Sequence, residues 1–201
     1  MITWTSSLPC VPKMNIVQIG TNRANDDVTI LANEHKEKLT GLLLVEPLRS
    51  HNEFIWECYK DFPQAILENV CITQSNGASD VTMYKHELDG PGFQCASTKR
   101  DHIVRHCDKP GVLEERVPCM TLPNLLRKHH LKEIDVLWVD TEGTDDLLIY
   151  SLDLEEFNIH KIVFEHLHID AESLIKYLEN KGYSITRNVG ADKFSHEAVK
   201  T

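Results

Sequence analysis

Two carboxylates stand two residues apart in Asp140-Thr-Glu142-Gly143, directly after the apolar run Ile134-Asp-Val-Leu-Trp-Val139. At the end of a strand such a pair can bind a cation, orient a substrate hydroxyl or act as a general base. The alternative is an N-cap pair for the next helix, a role that Asp145 and Asp146 also suit. Glu165-His166 follows Ile162-Val-Phe164 and adds a further carboxylate and an imidazole. Glu46 follows Leu42-Leu-Leu-Val45. It can accept both hydroxyls of a ribose, or be a plain exposed strand-end carboxylate. Gly20, after Ile16-Val-Gln-Ile19, allows a backbone to approach a ligand closely, or simply turns the chain. The next glycine is Gly41, so the G-x-G-x-x-G loop that cradles a pyrophosphate is absent. A ribose without a pyrophosphate points to a nucleoside cofactor.

These residues end short apolar runs, and the runs read as strands of a parallel sheet covered on both faces. The segment from Ala65 to Thr73 is the third of five such strands. Helical patterns lie between them. Asp26 or Asp27 caps a helix through Val28, Leu31 and Ala32; Phe54, Ile55 and Tyr59 mark a second; Thr121 caps a third, with Pro123 in its first turn. Leu147 to Ile149 form a fourth. Asp170 to Lys181 is the clearest, with Leu174, Ile175 and Leu178 on one stripe and Gly182 as its stop. Tyr183 to Val189 and Lys193 to Val199 read as a closing antiparallel pair. Strand–helix alternation predicts an α/β domain whose ligands bind outside the carboxyl ends of the strands. Those ends carry Gly20, Glu46, Thr73, Asp140 and Glu165-His166. The rhythm breaks from Glu87 to Arg116, where Gly90, Pro91, Gly92, Pro110 and Gly111 predict a lid or insertion. Ser97, Lys99 and Arg100 would reach the ligands from it. The expected organisation is an extension at 1–14 and one domain at 15–201.

The 201 residues hold 21 Lys+Arg against 31 Asp+Glu, a net charge of -10. That balance disfavours a nucleic-acid partner, because phosphate binding needs a positive surface. No apolar run is long enough to span a bilayer, and the first residues show no signal-peptide core, so a cytoplasmic protein is expected. Six scattered cysteines without a C-x-x-C pair fit reduced thiols. Cys95, His102, His106 and Cys107 are zinc-ligand types, but their spacing lacks the usual signature and favours solvated lid residues.

In order and spacing, Ile16-Val-Gln-Ile-Gly-Thr-Asn22, Leu42-Leu-Leu-Val-Glu-Pro47, Ile134–Gly143 and Val163-Phe-Glu-His166 resemble the FkbM family of S-adenosylmethionine-dependent methyltransferases. Leu178-Glu-Asn-Lys-Gly-Tyr183 is also similar to family members, and the resemblance covers roughly residues 15 to 190. It implies a class I methyltransferase, Rossmann-like fold: a mostly parallel seven-stranded sheet with helices on both faces. By position, Gly20 and Asn22 match the cofactor loop, Glu46 the ribose carboxylate, and Asp140 and Glu142 the acidic motif. Adenine is expected between Thr73 and Asn76. Ala24 and Asn25 stand where many members place a glycine, and Trp138 replaces a common lysine. The implied reaction is methyl transfer to a hydroxyl of a sugar, on a glycan or glycosylated metabolite. Carboxyl or nitrogen transfer, or a non-catalytic interaction module, are the alternatives. Little chain precedes the first strand, so neighbouring domains of a longer polypeptide are expected partners in presenting the acceptor. Two mechanisms are open. In one, His166 or Asp140 is a general base; in the other, Asp140, Glu142 and Glu165 hold Mg2+ or Mn2+.

Overall fold

The computed structural model describes residues 13–88, 95–106 and 111–201. Most of the expected N-terminal extension, residues 1–12, lies outside the described residues, as do Gly90, Pro91, Gly92, Cys107 and Pro110. In chain order the strands and helices are β1 (Met14–Ile19), α1 (Asp27–Glu34), β2 (Leu39–Val45), α2 (Asn52–Tyr59), β3 (Ala65–Glu68), β4 (Cys71–Thr73), β5 (Asp80–His86), β6 (Ala96–Ser97), α3 (Arg100–His106), β7 (Val112–Thr121), α4 (Leu122–Lys128), β8 (Glu133–Val139), α5 (Asp145–Tyr150), β9 (Asn158–Glu165), α6 (Ala171–Asn180), β10 (Tyr183–Val189) and β11 (Ser195–Lys200). Among the described residues no helix is long and apolar enough to cross a membrane.

Seven strands form the main sheet in the order β10-β11-β9-β8-β1-β2-β3. The five from β9 to β3 are parallel to one another. The last strand of the chain, β11, enters between β9 and β10 and runs antiparallel to both. This is the class I methyltransferase arrangement that the resemblance implied. Alternate residues of each strand face opposite sides. Val17, Leu43 and Leu137 bury one face against α4, α5 and α6. Ile16, Leu42, Leu44 and Val136 bury the other against Val28 and Ala32 of α1 and Ile55 and Tyr59 of α2. Each such Leu or Ile contributes roughly 1.5–3 kcal/mol by leaving water.

The helix signals at Asp26, Asp170 and Gly182 act as expected, whereas Thr121 stands at the N-cap of α4 without a side-chain capping bond. The Asp26 side chain accepts from the Thr29 amide and starts α1; that of Asp170 accepts from Ser173 and starts α6. Gly182 ends α6 at φ +86°. Two expectations are corrected. Ala65 to Thr73 is not one strand but two in different sheets: β3 edges the main sheet, while β4 opens a second sheet of order β4-β7-β5-β6. Asn69 makes the break, since its Nδ2 donates to the Glu46 carbonyl at 2.8 Å and its amide also pairs with Asn52. The stretch from Glu87 to Arg116 is not all loop, for it contains β6, α3 and the first half of β7. Among the described residues the small sheet buries Leu48, Cys71, Met83 and Val117, with Val81, Ala96 and Cys119 partly buried against them, a small apolar face.

Candidate active site

A cavity of about 590 Å³ opens at the carboxyl ends of the parallel strands. Gly20, Asn22, Glu46, Thr73, Asp140 and Glu142 all line it. Asn76 does not line it, and its side chain instead accepts from Asn124 on the surface.

The first strand end is drawn tight. Gly20 has φ +88°, and a β-carbon there would lie 1.7 Å from the Asp140 carbonyl oxygen. The Gly20 amide donates to Val45 at 3.0 Å and the Asp140 amide to Ile19 at 2.9 Å. Three neighbouring strand ends therefore meet at one backbone crossing that a side chain would fill. Asn22 and Ala24 follow in the left-handed region, at φ 51° and 59°. Ala24 thus holds the conformation for which many family members use glycine. The Asn22 amide donates to Glu46 Oε2 and the Leu48 amide to Glu46 Oε1, each at 2.8 Å. The buried Glu46 carboxylate is so fixed from two sides. Oε1 also faces His51 Nδ1 at 3.5 Å, which leaves Oε2 as the oxygen with a second acceptor direction for a ribose hydroxyl.

The acidic end is built by β8 and β9. Glu142 sits at φ 56°, an unusual backbone for a side chain with a β-carbon, and Gly143 follows at φ 97°. Its Oε2 lies 2.9 Å from His102 Nε2 on α3. Burial, then the charges of Asp140 and Asp145, push the Glu142 carboxyl up to about 8. Burial, then Glu142 and Asp145, does the same for Glu165, also to about 8. Asp145 is fully buried at the start of α5 and rises to about 6, mainly by burial, although Thr141 donates to it. Asp140 is crowded by protein and then repelled by Asp145 and Glu165, which raises it well above the carboxylate range. Its surface is nevertheless open to the cavity, so water there softens the effect.

Glu142, Glu165 and His168 each offer a ligand atom within 4.8 Å of the others, and Glu165 Oε2 is buried with no hydrogen-bond partner. Asp140 is not one of that trio, and neither is His166. The His166 ring stacks on His196 with centroids 4.2 Å apart, and its Nε2 lies 3.3 Å from the Lys193 carbonyl. The imidazoles that reach the acidic cluster are His102 and His168, whose rings meet edge to face at 4.7 Å.

From the opposite wall, Ser97 and Thr98 line the cavity, and Lys99 Nζ donates to the Gly143 carbonyl at 2.8 Å. Cys95 and His102 are buried rather than solvated, and both stand beside Glu142. Arg100 is exposed. His102 and Cys95 gave a weak signal in the sequence, because chemistry-bearing types in a Gly/Pro-rich stretch are usually surface residues.

Comparison with known proteins bears on the fold and the family. No curated protein matches the sequence. Among solved structures, the fibrillarin/Nop5p complex aligns at TM-score 0.50 and 12% identity, over 94% of this chain and 73% of that one. This likeness shows the fold alone. Precorrin-6y C5,15-methyltransferase from Geobacter metallireducens GS-15 aligns at 0.48 and 13%, over 94% and 81%. M. capricolum TrmK, in complex with S-adenosylhomocysteine, aligns at 0.45 and 12%, over 94% and 63%. The methyltransferase FkbM domain matches residues 14–185, from the first strand of the sheet into its sixth. With the seven-stranded topology and the strand-end site inside that span, the chain belongs to the FkbM family of S-adenosylmethionine-dependent methyltransferases.

Proposed function

We propose that the protein methylates a hydroxyl oxygen of a sugar, carried on a glycan or a glycosylated metabolite. The acid-rich floor of the cavity carries this reading. Carboxyl groups accept hydrogen bonds when ionised and also donate when protonated, so this cluster, with Glu142 and Glu165 held up to about 8, suits the hydroxyls of a neutral polyol.

The residues present fit the methyl donor. Glu46 keeps an acceptor direction at Oε2 for the ribose, the backbone crossing at Gly20 admits close approach, and Thr73 stands where the base would end. When bound, S-adenosylmethionine supplies a methyl group already activated by the positive charge of its sulfonium. The task left to the chain is to orient a hydroxyl and hold its proton, with positioning as the chief contribution. Glu142 is placed for the second part. It lines the cavity, its carboxyl is poised near neutral pH, and His102 fixes its orientation. A base so matched to the operating pH is typically worth about 10²–10⁴-fold in rate. Asp140 borders the donor and acceptor sides and orients the hydroxyl. His166 supports the strand end from its stack on His196.

A second reading has its own observation. Glu142, Glu165 and His168 converge around an orphaned carboxylate oxygen, which suits Mg2+ or Mn2+ lowering the hydroxyl's pKa. Full turnover in excess EDTA excludes that ion.

The test is a panel of sugar acceptors assayed with methyl-labelled S-adenosylmethionine. The expected product is a base-stable methyl ether. A base-labile label marks a carboxyl acceptor, and label on an amine marks nitrogen transfer; either overturns the reading. Cofactor binding without turnover on any acceptor favours the interaction module. Glu142→Gln is expected to lose turnover while keeping cofactor affinity. Glu46→Ala is expected to weaken cofactor binding by about 1–3 kcal/mol, the range for charge-assisted hydrogen bonds.

A further inference from the structure

We propose that Cys95, His102 and Glu142 form a three-ligand site for a borderline divalent transition ion of the Zn2+ or Co2+ kind. Each contributes one ligand atom, and the three atoms lie within 4.8 Å of one another. Cys95 and His102 are 8% exposed, so the site is set into the protein and not spread over its surface. The set joins one thiol, one imidazole and one carboxylate. Zn2+ takes these three ligand types together, at about 2.0–2.3 Å, while Mg2+ and Ca2+ prefer oxygens alone. The His102–Glu142 contact of 2.9 Å has to open so that the ion can sit between the two. Tetrahedral coordination leaves one position for water or another small ligand.

The proposal goes beyond methyl transfer and does not depend on which acceptor is used. It gives the left-handed backbone at Glu142 a second purpose, since that turn aims the carboxylate toward α3. It also gives the segment 95–106 an anchor besides the Lys99–Gly143 hydrogen bond. An ion held there ties the far wall of the cavity to the end of β8. Glu142 would then be shared between ion and cavity, so metal occupancy would tune its availability as a base. Binding displaces the thiol proton and any proton held by Glu142.

Co2+ titration of the reduced 201-residue chain, followed by visible and near-ultraviolet absorption, tests this. One equivalent of Co2+ is expected to produce a thiolate-to-cobalt charge-transfer band that Zn2+ removes. Cys95→Ser is expected to abolish the band, and His102→Ala to weaken Co2+ binding at least tenfold. Cys58→Ser and Cys119→Ser are expected to leave it unchanged. Circular dichroism and S-adenosylhomocysteine binding show whether each variant remains folded. If Cys95→Ser does not fold, selective alkylation protection decides: Co2+ must shield Cys95 from iodoacetamide in the wild-type chain. Absence of a band, persistence of the band in Cys95→Ser, or no protection of Cys95 overturns the site. Failure of the sugar assay leaves this titration untouched, so the two proposals fail separately.

Discussion

Gly20 shows how little room the first strand end leaves. Alanine there would add both the strain of a positive φ and a collision with the Asp140 carbonyl. Together these predict a loss of roughly 2–5 kcal/mol for Gly20→Ala. The check is urea unfolding, with a lower midpoint at unchanged slope; an unmoved midpoint would mean that the crossing yields freely. Gly20, Glu46 and Asp140 were legible because each ends an apolar run, and the carboxyl ends of parallel strands share one edge. His168 was not legible. His166 keeps the strand's pairing, its amide donating to the Phe194 carbonyl, so the alternation of the pleat sends its ring to His196 and away from Glu165. The imidazole beside Glu165 comes two residues later, where the chain has left the sheet.

Among elements, the segment from β6 into α3 borders the cavity. It lines the far wall through Ser97 and Thr98 and carries exposed cleavage sites at Lys99, Arg100 and Arg105. If this wall closes on ligand, trypsin cleavage at those three sites slows when S-adenosylhomocysteine is bound. Equal cleavage rates, followed by mass spectrometry, would show a wall that does not respond. Buried strands β1, β2, β8 and β9 were legible as nearly continuous apolar runs. β5 and β7 were not, for a physical reason. Their sheet has one small apolar face, and Glu114 and Glu115 beside Arg116 imitate a solvated loop. The division of Ala65–Thr73 was hidden because both halves are apolar and only the Asn69 side chain, bonded to residues far away in sequence, parts them.

For the whole molecule, the acidic cluster predicts how stability follows pH. Carboxyls of the unfolded chain titrate at about 4. Folded Glu142 and Glu165 hold their protons to about 8 and Asp145 to about 6, while Asp140 is also raised. Between these limits the native state binds more protons than the unfolded state, so stability falls as pH rises from about 4 to about 8 and then levels off. Exposed Glu172 and Asp170, lowered mainly by hydrogen bonds from Arg187 and Ser173, act oppositely only at more acidic pH. Urea melts across this range check the slope, and Glu142→Gln is expected to flatten it; a rise in stability toward pH 8 would contradict the cluster's assignment. The pairing at the centre of the sheet has a different consequence, for the order of assembly. β1 lies between β2 and β8, and the contact of Asn15 with Asp135 spans 120 residues of sequence. A chain emerging from the ribosome therefore completes β1, β2 and β3 long before β8 exists to cover the free edge of β1. Both faces of that edge are apolar. During synthesis the protein exposes a hydrophobic template, and chaperone capture has its longest opportunity in this interval.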